Sequence, residues 1–118
     1  EEIAPKWPKH VFIAKKAFLD RNPNTIRALL RAHVAAIRLA KADKAFTAKV
    51  LEDRLKFTPD QALKAYDDVI GGFDERGEIP DMSVFWEIKK EAKEVTETWP
   101  REKFFDDRYV KTFAQWAP

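Results

Sequence analysis

The chain has 118 residues, the span of one ordinary domain, and 45% of them are apolar, which is enough to form a core. Its 36% charged residues are nearly balanced, with 22 basic against 20 acidic, and the two signs alternate along the chain, so it lacks the basic stripe of a nucleic-acid binder. The absence of cysteine excludes disulfides and thiolate metal sites, and no apolar run approaches the ~20 residues that span a bilayer.

Residues 1–10 hold Pro5 and Pro8 and read as an extended lead-in. The opening Glu1-Glu2-Ile3 has no signal-peptide pattern and suggests a mature chain or a fragment. Val11-Phe12-Ile13-Ala14 is a short apolar run rich in β formers and predicts the one strand, at 11–14. Residues 15–118 read as helical, and 1–118 as a single helical domain or fragment. Lys15 to Arg21 suits a short helix. Asn22-Pro23 is a helix start, because Asn can cap free N–H groups and Pro has none to leave unpaired. Ile26, Leu30, Val34 and Ile37 then recur at helical spacing to about Ala42.

Asp43 is placed to cap a helix carrying Phe46, Val50, Leu51 and Leu55. Thr58-Pro59-Asp60-Gln61 has the residues of a capping box and opens a helix expected to bury Leu63, Tyr66, Val69 and Ile70. Gly71-Gly72 should end it through left-handed backbone angles. Asp81 is placed to cap a helix with Phe85, Ile88, Ala92 and Val95 along one side. Trp99-Pro100 breaks the chain, and Asp106 or Asp107 starts a last helix with Val110, Phe113 and Trp116 inward. The expected fold is mainly α, with about five principal helices and the one N-terminal strand.

Catalytic groups are sparse. His10 and His33 lie on different elements, and His33 sits beside an apolar helix face, which favours packing over metal ligation. Ser83 lies at a helix start without a nucleophile-elbow pattern. The pairs Asp67-Asp68, Asp74-Glu75 and Asp106-Asp107 suit capping better than acid–base work. No phosphate-cradling glycine loop occurs. Trp7, Trp86, Trp99 and Trp116 are more often core anchors than ligand contacts. Lys15-Lys16 and the pair Arg27 and Arg31 can attract anions, or equally form a solvated helix face. These residues point to a non-enzymatic chain without a cofactor or metal.

The order of motifs carries a resemblance. Val11-Phe12-Ile13-Ala14 leads to Lys16-Ala17-Phe18-Leu19-Asp20-Arg21-Asn22-Pro23 and an Arg- and Ala-rich helix. Leu55-Lys56-Phe57-Thr58-Pro59, Gly72-Phe73-Asp74-Glu75-Arg76-Gly77 and Pro80-Asp81-Met82 follow. Val84-Phe85-Trp86-Glu87-Ile88, Trp99-Pro100 and Phe105-Asp106-Asp107-Arg108-Tyr109-Val110 complete the series. Over almost its whole length the chain resembles the C-terminal part of ABC-importer substrate-binding proteins of the nitrate, sulfonate, taurine and thiamine-precursor group.

The resemblance implies the C-terminal segment of a type II periplasmic-binding-protein-like α/β fold, without its main sheet and second lobe. It implies a periplasmic or other extracytoplasmic location, capture of a small organic or anionic solute by the intact protein, and delivery to an ABC permease. Residues 1–10 would follow the crossover between lobes, making Trp7 and His10 the cleft candidates, and 11–14 would enter the first lobe's sheet. Helices evolved to lie on that sheet would pair with the remainder of their protein or self-associate. The alternative is a free-standing helical protein-interaction domain without a small-molecule ligand.

Overall fold

The computed structural model describes residues 11–78 and 81–118. The chain runs through α1 (Lys16–Arg21), α2 (Pro23–Ala42), α3 (Lys44–Leu55), α4 (Pro59–Val69), α5 (Ser83–Glu91), α6 (Arg108–Lys111) and α7 (Phe113–Trp116), with 3-10 turns at Ile70–Gly72 and Arg101–Lys103. The mainly helical expectation holds.

The strand expected at 11–14 does not form. The described residues include no second strand, so these backbone groups have no ladder to join. Val11, Phe12 and Ile13 are exposed, Ile13 to 90%. The lead-in at 1–10, with Trp7 and His10, lies outside the described residues.

Local chemistry explains the helix ends. Asp43 Oδ1 accepts from the Phe46 amide at 2.9 Å and caps α3. At α4 the capping box closes in both directions: the Gln61 amide donates to Thr58 Oγ1 at 3.3 Å, and the Thr58 amide to Gln61 Oε1 at 2.9 Å. Asn22 behaves differently from the expected cap. Its side-chain amide donates back to the Phe18 carbonyl at 3.0 Å, closing α1 and leaving the start of α2 to Pro23.

The left-handed residues that follow helices are lysines, not Gly71 or Gly72, and Gly77 (φ 66°) is left-handed in the loop before α5. Lys56 (φ 60°) follows α3 and Lys93 (φ 57°) follows α5, while both glycines sit in the 3-10 turn after α4. Beyond α5 the Lys93 amide donates to the Lys90 carbonyl at 2.9 Å and the Glu94 amide to Lys89 at 3.0 Å. That paired pattern satisfies the last carbonyls and stops the helix at Glu91, short of the expected Val95. The last helix is likewise split at Thr112 into two single turns.

The main core lies where α2 meets the C-terminal turns. Ile26 and Val34 of α2 pack with Tyr109 of α6 and Trp116 of α7, flanked by Leu19, Leu30, Phe113 and Ala117. Trp116 Nε1 donates to the Tyr109 carbonyl at 2.8 Å, so the indole is buried with its N–H satisfied. A second contact joins α3 and α4, where Ala48 and the fully buried Ala62 let the two helices approach closely. Tyr66 lies beside it. Its ring carries Lys44 Nζ at 5.5 Å from the centroid, and its hydroxyl donates to the Ala40 carbonyl at 3.0 Å.

Among the described residues the Tyr109 hydroxyl is buried without a hydrogen-bond partner. An unpaired buried hydroxyl costs ~1–3 kcal/mol, so Tyr109→Phe is expected to stabilise the chain by about 1 kcal/mol. A urea titration monitored by circular dichroism would read this as a higher midpoint.

Candidate functional site

Ion pairs tie the C-terminal turns to the first helices. Arg108 NH2 bridges Asp106 Oδ2 at 2.7 Å and Asp20 Oδ1, on α1, at 2.8 Å. Arg101 grips Asp107 with two bonds, Nε to Oδ2 at 3.0 Å and NH2 to Oδ1 at 3.1 Å. Arg38 on α2 donates to Glu75 Oε2 at 2.7 Å and to the Pro118 carbonyl. Lys41 Nζ reaches the Phe73 carbonyl at 2.6 Å. The Gly72 to Gly77 loop is thereby strapped to α2, and Asp74 shapes it by accepting from the Arg76 and Glu78 amides, each at 3.0 Å.

Each of the carboxylate pairs thus has structural work. Asp67 takes Lys44 Nζ at 2.6 Å and Asp68 takes Lys64 Nζ at 2.7 Å. Ser83 Oγ donates to Asp81 at 2.7 Å, and His33 is half-buried with its ring edge-on to Phe12 at 5.0 Å. No group of three or more potential metal ligands gathers among the described residues. No described helix is long and apolar enough to cross a membrane.

The ion pairs shift titration. The hydrogen bond from Arg108, with that from Lys16, holds the Asp20 carboxyl below its usual range. The hydrogen bond from Arg101 does the same for Asp107. Depressed carboxylates stabilise the fold above their unfolded pKa, about 3.9, and lose that contribution as pH falls through the folded value. The docking of α6 is therefore expected to hold from about pH 5 to 7 and to loosen below about pH 4. Amide exchange at Val110 to Trp116 would report this, and Asp107→Asn would flatten part of the pH dependence.

The most extensive surface feature is uncovered apolar area. Sixteen large hydrophobic side chains are exposed among the described residues, against eight buried apolar ones, two of which are alanines. Phe46 and Val50 lie a turn apart on α3, and Leu63 and Val69 on α4 are about half exposed, contrary to the burial expected for α4. The cause is geometric. α4 turns Ala62 and Tyr66 inward, Tyr66 reaching Lys44 and the Ala40 carbonyl, while Leu63 stays 42% exposed.

A second patch is aromatic. Trp99 stacks on Phe104 at 5.3 Å, Phe104 meets Trp86 at 5.2 Å, and Trp86 meets Phe85 edge-on at 5.1 Å. Lys103 Nζ sits 4.8 Å above the Trp99 ring. The four tryptophans therefore separate: Trp116 anchors the core, Trp86 is half-buried, Trp99 is exposed, and Trp7 falls outside the described residues.

No family model, curated protein or solved structure matches this chain. Arg27 and Arg31, with Asn24 and Ala28, line a shallow open depression on α2. Sequence reasoning named the two arginines. It did not find the aromatic patch, although Trp86, Trp99 and the Phe104-Phe105 pair were visible, because their contact crosses a turn that periodicity does not describe.

Proposed function

We propose that this chain is part of a solute-binding protein that captures a small organic or anionic solute and delivers it to an ABC permease. The resemblance supplies that identity, and one observation supports it. The ordered motifs sit on helices that leave many apolar side chains uncovered, among them Phe46 and Val50 on α3 and Leu63 and Val69 on α4, as in a segment that lies against structure supplied by the remainder of its protein.

In that reading the helices stiffen one lobe, and the solute is held where two lobes close on each other. Capture and release follow from closure, with no chemistry on the solute. Trp7 and His10 remain the cleft candidates, and the place of action is extracytoplasmic. The Arg38 and Arg108 straps would keep the helical layer rigid while the lobes move.

The test is to express the complete reading frame that encodes this chain and screen the product with taurine, alkanesulfonates, nitrate and aminopyrimidines by thermal shift. A raised melting temperature with one of these classes, in a product containing an α/β lobe, is expected. A reading frame without such a lobe would overturn the proposal and leave the helical interaction domain in its place.

A further inference from the structure

We propose that Arg101 to Pro118 is a hinged flap, which opens transiently as one unit and uncovers the inner side of α2 while α3 and α4 stay folded. The proposal does not depend on the solute-binding reading.

The buried residues fall in two places. Ile26 and Val34 pack with Tyr109 and Trp116, whereas Ala48, Ala62 and Tyr66 lie outside that cluster, on α3 and α4. The helices whose backbones approach most closely are α1 and α2, α2 and α3, and α3 and α4. The flap instead reaches α2 through the side chains of the cluster. Segments with few buried contacts open at a lower free energy than the elements around them.

Polar bonds favour movement as a body. Arg101 clasps Asp107, and Arg108 holds Asp106. Thr112 Oγ1 donates to the Arg108 carbonyl at 2.7 Å, and Trp116 Nε1 donates to the Tyr109 carbonyl at 2.8 Å. These bonds begin and end within the flap, so it keeps its shape when it swings. Links to the rest of the chain include Arg108 to Asp20, Arg38 to the Pro118 carbonyl, and Arg76 above the Phe113 ring at 5.7 Å. They keep the flap closed most of the time. Arg108 and Asp20 are 40% and 44% exposed, and exposed pairs contribute little each. The Tyr109 hydroxyl opposes closure, because it is buried without a partner among the described residues and regains water on opening.

The hinge lies between α5 and the flap. Residues 92–98 form no helix and are exposed, except the half-buried Val95. Lys93, near their start, holds a left-handed conformation (φ 57°) that its side chain disfavours. A short irregular connection of this kind can absorb the dihedral change of a pivot.

The chain has no cysteine, so a single introduced thiol reports alone. Ile26→Cys and Val34→Cys place it under the flap, and Ala48→Cys places it on α3 outside the flap's cluster. Labelling with an aromatic disulfide reagent is followed in native buffer, each rate being divided by that of the same variant unfolded in urea. Positions 26 and 34 should label about tenfold faster than position 48. They should also agree with each other within about twofold, because one opening uncovers both. Adding Arg108→Gln should raise both rates ~threefold and leave Ala48→Cys unchanged. Circular dichroism checks helix content, and Leu30→Cys, which flanks the same cluster, replaces either flap variant that loses it. Equal protection at 26, 34 and 48 overturns the proposal, since the cover then opens only when the whole chain unfolds. Rates at 26 and 34 that differ and respond separately to Arg108→Gln overturn it too, by showing fraying of single turns in place of a hinged unit.

Discussion

Replacing Trp116 by alanine is expected to be the most damaging single change, lowering stability by ~3–5 kcal/mol. Trp116 is 7% exposed and belongs to the cluster that joins α2 to α6 and α7. Its removal takes away the indole's packing against Ile26 and Val34 and leaves the Tyr109 carbonyl without its donor. Domains of ordinary size are stable by only about 5–15 kcal/mol, so the change consumes much of the reserve. α7 is one turn long and has no other anchor of this size. Urea unfolding should show a lower midpoint and looser C-terminal turns. Trp116→Phe isolates the two contributions. It keeps most of the buried area and removes the N–H bond, for which about 0.5–1.5 kcal/mol is expected. An unchanged midpoint in Trp116→Ala would mean that the cluster does not hold the C-terminal turns in place.

The second large effect is association. With twice as many exposed large hydrophobics as buried apolar residues among those described, the isolated chain is expected to self-associate from micromolar concentration upward. Light scattering after size exclusion should show a mass that rises with loading. Phe46→Glu with Val50→Lys places opposite charges on an exposed α3 face. The pair should lower the apparent mass at little cost in helix stability, because neither side chain is in the buried core. A monomer of constant mass at about 1 mM would show that the apolar faces are not sticky, and would remove the main physical support for an absent covering surface.

Several elements were legible because their causes are local. The Thr58–Gln61 box needs only four consecutive residues, and both of its bonds form. Asp43 caps α3 for the same reason. α2 followed from the spacing of Ile26, Val34 and Ile37, which are the residues it buries. The carboxylate pairs read as structural and are found holding arginines, lysines and backbone amides.

Other elements depended on partners that composition does not reveal. Val11 to Ala14 has the residue types of a strand but finds no ladder among the described residues. The end of α5 was missed because Lys93, which pays a penalty of about 1–2 kcal/mol there, occupies the left-handed position in place of glycine. α4 was expected to turn Leu63, Tyr66, Val69 and Ile70 inward; Tyr66 is buried as expected, whereas Ala62 takes the close contact and Leu63 and Val69 stay exposed.

By itself, the sequence determined where helices form, what caps them and how much apolar surface the chain carries, since those depend on neighbours within about one helical turn. Tertiary structure alone decided which apolar faces are covered, which arginines find carboxylates, and that Trp116 became a core anchor while Trp99 stayed exposed. Burial and ion pairing are properties of pairs distant in the chain, and Arg108 meets Asp20 across 88 positions. Such a meeting is set by how whole helices dock, and no local pattern encodes it.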